Sequence, residues 1–205
     1  MKHTGIVINS NVYKDNDLIV ELLTENEIIN FRSKGIKKID SKNKSLVFDF
    51  AYIEAEFFKK GDKTTLINGK NLINVSIIYS SFEGLLFISF IKEILYKLIV
   101  DEEKHLFFND LLSALKSIEN SGNDLNILQH LIHLMLKLGE LGGFSPLNYY
   151  EGTSFYNTID SFYCLNENIH DLTKDQLLLL IKKLAFYLEE TSDIQLNSTQ
   201  LLLHL

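Results

Sequence analysis

The chain lacks tryptophan and has one proline, two methionines and a single cysteine, Cys164, in 205 residues. One cysteine supports neither an intrachain disulfide framework nor a cysteine-rich zinc site, and the usage fits a reducing cytoplasm. Long hydrophobic runs are missing too. The most apolar windows, 84–91 and 125–141, are broken by Ser89, Gln129, His130, His133 and Lys137. Neither reaches the roughly 20 apolar residues of a membrane span. The opening Met1-Lys2-His3-Thr4-Gly5 leads into a short alternating run and does not read as a signal peptide. No glycine loop can cradle a phosphate: Gly139 and Gly142-Gly143 follow a helical pattern, at the wrong end of its dipole. No strand-serine-helix elbow is present. Glu54 and Glu56 share a strand face, but two carboxylates alone do not make a catalytic pair. These absences leave no case for an enzyme, a cofactor or a metal.

What is present is ordinary bulk with an uneven charge. Hydrophobic residues make up 46% and charged residues 23%, as in a globular protein with a sizeable core. The chain carries a net charge of -7. Against that background, Arg32, Lys34, Lys37, Lys38, Lys42 and Lys44 crowd one short segment in which Asp40 is the sole acid. A concentrated cationic run on an acidic protein suits a polyanion laid along it; a solvated loop is the plain alternative. The character changes near residue 79: the first part is slightly basic and the second strongly acidic.

The first part, 1–78, reads as strands. Thr4 to Asn9 alternates, Leu18 to Thr24 is apolar and β-branched, and Ile28 to Arg32 returns after a turn at 25–27. Leu46 to Phe58 alternates, with Phe48, Phe50, Tyr52 and Glu54 on one face. Thr64–Asn68 and Leu72–Ile78 read as two more strands around Asn68-Gly69. Five or six short strands predict a small β-barrel, with an OB-fold as the natural candidate. The second part, 79–205, reads as an all-helical domain, so the fold class is mixed α+β. Helices are predicted over 83–100, 106–118 and 125–141, the last apolar on most faces. Gly142-Gly143 and Pro146 then stop the helix, and 147–170 reads as an irregular, aromatic-rich insert. Thr173 with Gln176 resembles a capping box that opens a helix to about Glu190, and 197–205 reads as a short closing helix.

Several residues invite a chemical role. His130 and His133 stand three apart, a metal-ligand spacing, but their neighbours are aliphatic and no Cys, Asp or Glu stands beside them; they read as core. Cys164, within Phe162-Tyr163-Cys164-Leu165, reads as a small buried hydrophobe. Tyr13, Phe31 and Phe48 lie near the basic run and offer rings on which bases could stack. Phe31 and Phe48 sit in apolar alternation and read as core. Tyr13, in a polar turn, is the better stacking candidate.

The segments Thr4-Gly5-Ile6-Val7-Ile8, Tyr13, Asp17-Leu18-Ile19-Val20 and Leu22-Leu23-Thr24, followed by Lys34-Gly35-Ile36-Lys37-Lys38 and Ser41-Lys42, resemble the opening of the RecO family of DNA repair proteins. Phe90 to Leu95, with Glu93, resembles the family's first long helix, and Phe107 to Leu115 the next one. Leu141-Gly142-Gly143-Phe144-Ser145-Pro146 resembles the stop that precedes a zinc-binding loop in many members. The likeness covers most of the chain in order. It implies a recombination mediator with an OB-fold that binds single- and double-stranded DNA and a helical domain behind it. Such a protein acts with RecR, helps RecA load onto strands coated by single-stranded DNA-binding protein, and anneals complementary strands. The carry-over assigns DNA binding to Arg32, Lys34, Lys37, Lys38, Lys42, Lys44 and Tyr13. It assigns docking of the acidic tail of single-stranded DNA-binding protein to Lys137, Lys182 and Lys183, on an acidic domain. Many members carry four cysteines after that proline; here only Cys164 remains, so the resemblance implies loss of the zinc, with Tyr149, Tyr150, Phe155, Tyr156, Phe162 and Tyr163 packing in its stead. A second reading, of another class, is a non-enzymatic protein-interaction scaffold with vestigial DNA binding.

Overall fold

A computed structural model of the chain describes residues 1–36, 41–153, 155–163 and 171–202. The chain forms two compact units, one of Met1–Ser76 with Asp101–Glu119, the other of Ile77–Val100 with Asn120–Leu205. The first therefore takes in a helical segment that the sequence analysis assigns to the second part.

In the first unit five strands close into a barrel: β1 (Lys2–Lys14), β2 (Asp17–Leu23), β3 (Ile28–Ser33), β4 (Tyr52–Lys60) and β5 (Lys63–Asn71). The strand order around the barrel is β1-β2-β3-β5-β4, the order of an OB-fold. β1 is long enough to serve both neighbours: Lys2 to Ile6 pairs with β4, and Ile6 to Lys14 with β2, across two register irregularities that bend it. The parallel pairing of β3 with β5 rests on one bridge, Arg32 with Thr65. Alternation fills the interior: Val20 and Leu22, Ile53, Ala55 and Phe57, and Leu66 all point inward and are buried. Phe31 and Phe57 meet there with ring centroids 4.9 Å apart. Helix α3 (Phe108–Ser121) joins this unit, with Phe108 beside Tyr52 and the Glu119 carboxylate accepting the Asn74 backbone N–H at 2.6 Å.

Two strand expectations need correction. Leu46–Phe58 is not one strand: Lys44–Val47 is a 3-10 turn, and Phe50, buried with φ of 63°, breaks the run before β4 begins at Tyr52. Phe48, expected in the core, is instead 45% exposed. Asn68-Gly69 is no turn either, because β5 runs straight through it. The glycine answers a close approach: a Cβ there would lie 2.8 Å from the Glu54 carbonyl oxygen. The expected strand 72–78 gives way to a short helix, α1 (Ser76–Ser80).

The second unit is helical: α1, α2 (Phe82–Leu98), α4 (Asp124–Leu141), α5 (Pro146–Tyr149), α6 (Tyr156–Tyr163) and α7 (Lys174–Ser192). α4 is central, and every residue from Ile127 to Leu136 is buried. Within the expected irregular insert, the end of α5 and all of α6 are helical; residues 154 and 164–170, with Cys164, lie outside the described residues. The capping box forms as the sequence predicts: Thr173 Oγ1 accepts the Gln176 N–H at 3.4 Å and Gln176 Oε1 accepts the Thr173 N–H at 2.8 Å. Two carboxylates pin this unit. Glu83, buried, pairs with Lys174. Glu93 accepts from Lys97 and from the Asn197 and Ser198 backbone, fixing the closing 3-10 turn Asn197–Leu202. Burial alone would raise both carboxyls, but these donors outweigh it and hold them below their ordinary value.

Gly84 sits in the first turn of α2, where a Cβ would meet the Ile78 carbonyl oxygen at 1.9 Å. Helix propensity favours alanine over glycine by about 1 kcal/mol, but overpacking typically costs about 1–3 kcal/mol and here sets the sign. Gly84→Ala is expected to destabilise the protein, read as a lower urea midpoint. His130, buried beside His133 on α4, has its imidazole pushed down to about 4 by burial and then by its neighbour. The neutral ring is favoured in the fold, so its contribution is present above an unfolded value of 6.5 and lost as pH falls toward about 4. His130→Leu is expected to flatten the fall in unfolding free energy over that interval, by up to about 3 kcal/mol, in denaturant titrations at stepped pH.

Candidate nucleic-acid interface

One end of the barrel gathers rings and cations from four strands. Tyr13 stands near the end of β1, not in a turn as the sequence suggested, and is 52% exposed. Arg32 lies on β3 and Lys34 just beyond it. The β4–β5 hairpin turns at Gly61-Asp62, so Lys60 pairs with Lys63 and Phe58 with Thr65. Since Arg32 bridges to Thr65, the hairpin tip is brought beside the start of the basic segment, some 28 residues away in sequence. Together Tyr13, Phe31, Arg32, Lys34, Phe58, Lys60 and Lys63 line a groove of about 350 Å³, with Asn30, Thr64 and Thr65 as polar neighbours and Asp62 as its lone carboxylate. Phe58 exposes 58% of its surface there.

The cations are not equivalent. The Arg32 guanidinium lies 5.2 Å from the Tyr13 ring centroid, with the Lys14 ammonium at 5.6 Å. Arg32 is also paired with Asp17, its Nε donating to Oδ2 at 2.8 Å and its Nη2 to the same oxygen. Asp17 Oδ1 accepts the Gly35 backbone N–H at 2.8 Å. The Gly35 hydrogen bond first, and then Arg32, hold the Asp17 carboxyl below its ordinary value. Lys34, Lys60 and Lys63 are exposed at the groove.

The structure therefore brings Tyr13, Arg32 and Lys34 together. Lys42 and Lys44 are exposed on the following turn but do not line the groove, and Lys37 and Lys38 lie outside the described residues. Phe31 is buried under the groove floor. The sequence reading missed Phe58, Lys60 and Lys63. Their signal was an aromatic followed by lysines on both sides of a Gly-Asp turn. Glu54 is committed elsewhere, to Lys2 at 3.0 Å and Lys70 at 3.3 Å.

The family model described as recombination protein O N terminal matches residues 1–75, the span of the barrel strands. The barrel part of the chain is thus similar to the N-terminal domain of RecO proteins. Two relatives named DNA repair protein RecO, from Leptospira biflexa serovar Patoc strains Patoc 1 / Ames and Patoc 1 / ATCC 23582 / Paris, are each 26% identical over 197 residues. Each alignment covers 87% of this chain and 76% of the relative.

Among the described residues no three His, Cys, Asp or Glu side chains are grouped to hold a metal ion. His133 Nδ1 lies 2.8 Å from the Phe162 carbonyl oxygen. Rings pack together near this part of the unit, with Tyr149 and Tyr150 centred 4.6 Å and 6.0 Å from Tyr187 and Tyr150 6.2 Å from Phe155. Of the candidate partner-binding lysines, Lys183 lies over Phe155 at 3.5 Å and Lys137 over Tyr163 at 5.1 Å, while Lys182 is exposed on α7. No helix among the described residues is long and apolar enough to cross a membrane.

Because the Asp17 carboxyl titrates below 3.8, its pair with Arg32 is intact at neutral pH and is lost only as pH falls through that lowered value. Carboxyl-carbon NMR is expected to show Asp17 titrating below the ordinary aspartate value, and Arg32→Gln is expected to return it toward that value.

Proposed function

We propose that this chain is a DNA repair and recombination mediator that binds DNA without sequence preference through the barrel groove. The observation that carries this reading is the groove itself: two exposed rings, Tyr13 and Phe58, beside Arg32, Lys34, Lys60 and Lys63 on an otherwise acidic protein. Rings stack on bases of any kind, and ammonium groups neutralise phosphates and release counterions. Lys37, Lys38, Lys42 and Lys44, next in sequence, add further positive charge for phosphates. By kinship with the family, the protein acts in the cytoplasm, anneals complementary strands and, with RecR, helps RecA load onto strands coated by single-stranded DNA-binding protein. Lys137, Lys182 and Lys183 receive the acidic tail of that protein. No covalent chemistry is required, since annealing and loading exchange one set of non-covalent contacts for another.

With about five phosphates neutralised, log affinity for a single strand is expected to fall with log salt at a slope near -3.5, from roughly 0.7 per phosphate. Lys60→Glu with Lys63→Glu is expected to flatten the slope by about 1.4 or more, as is Lys37→Glu with Lys38→Glu. Fluorescence anisotropy of a labelled oligonucleotide at several salt concentrations reads both. An unchanged slope in either pair removes those lysines from the interface. No binding at low salt moves the reading to the scaffold alternative.

A further inference from the structure

Asp17 has the wrong sign for a surface that binds phosphates. It does not line the groove, yet its carboxylate holds two parts of it. One oxygen takes both Arg32 donors; the other takes the Gly35 N–H at 2.8 Å, where the chain leaves β3 for the basic segment. Arg32 is the only arginine in the chain, among 19 lysines. Its planar fork can satisfy a carboxylate and lie against a ring at once, which a lysine ammonium cannot. The ring it meets is Tyr13, at 5.2 Å.

Summed as charge, the pair is nearly neutral, so Arg32 is a poor phosphate ligand and Asp17 an apparent liability. Viewed as geometry, the pair fixes a ring on the groove wall and a turn at its edge. We propose that Asp17 is a positioning residue for single-strand binding: it clamps Arg32 against Tyr13 so that the ring is set in advance to take an unpaired base. This rests on the DNA-binding reading of the groove. It narrows the preferred ligand to strands with unstacked bases, since a duplex keeps its base faces covered.

The absence of tryptophan makes the test direct. Tyr13→Trp places the sole indole of the protein at the ring position. In that background Asp17→Asn, Asp17→Glu and Arg32→Lys are compared by three readouts. These are acrylamide quenching of the indole without DNA, anisotropy of labelled oligothymidylate across salt, and thermal unfolding by circular dichroism. Charge alone predicts tighter binding on loss of Asp17. The positioning role predicts the reverse: Asp17→Asn exposes the indole to acrylamide and weakens binding about tenfold or more, the worth of one stacked base, at a nearly unchanged salt slope. Asp17→Glu restores part of the loss. Arg32→Lys, which keeps the charge, weakens binding similarly and carries the test if Asp17→Asn unfolds. Unchanged or tighter binding, with quenching unchanged in Asp17→Asn or Arg32→Lys, overturns the role. If the unsubstituted protein fails to bind any oligonucleotide at low salt, the DNA reading itself falls and takes this role with it. That result is distinct from binding that is merely insensitive to Asp17.

Discussion

The barrel closes where β3 meets β5 through one parallel bridge at Arg32, and the ion pair of that arginine with Asp17 is the constraint on which the nearby surface depends. A lone bridge between parallel strands is a weak seam. Here the side chain of the bridging residue reaches back to the start of β2, while the same carboxylate ties down the turn at Gly35. Three segments from different parts of the chain are fastened at one point. Around it stand the rings and lysines of the groove, each reached by a strand whose register follows from that closure.

The total charge of -7 would seem to repel a nucleic acid. Screening removes the contradiction. At physiological ionic strength fields fade over about 8 Å, so a strand in the groove responds to the groups within that reach. Lys34, Lys60 and Lys63 line the groove, with Asp62 as its lone carboxylate. A negative total charge is therefore compatible with a locally cationic groove.

Much of this was legible in the sequence because periodicity is local. The alternation at Ile53, Ala55 and Phe57 announces a half-buried strand, and Thr173 with Gln176 announces a helix start. The basic run announces a concentration of positive charge, and of its described members Arg32 and Lys34 line the groove. Illegible features depended on tertiary closeness. Asn68-Gly69 looks like a turn, yet the glycine is there because the neighbouring backbone leaves no room for a side chain. Phe50 looks like a strand residue, yet the chain adopts a positive φ at it to bury its ring. Tyr149 looks irregular, yet it ends a helical turn and packs its ring against Tyr187 of α7. Phe58, Lys60 and Lys63 join the site only because β5 bridges to β3, a pairing that no window of sequence contains. The pairing of Asp17 with Arg32 is hidden for the same reason.

Chemically, the surface of this protein is almost monotonous in its basic groups: amine after amine, with one guanidinium. Reagents that distinguish the two functional groups, such as vicinal dicarbonyls, therefore have a single address on the molecule, at the seam of the barrel. A lysine-directed reagent would decorate both units indiscriminately. The sparing use of arginine thus leaves the groove with a handle that distinguishes it from the rest of the surface by functional group rather than by shape.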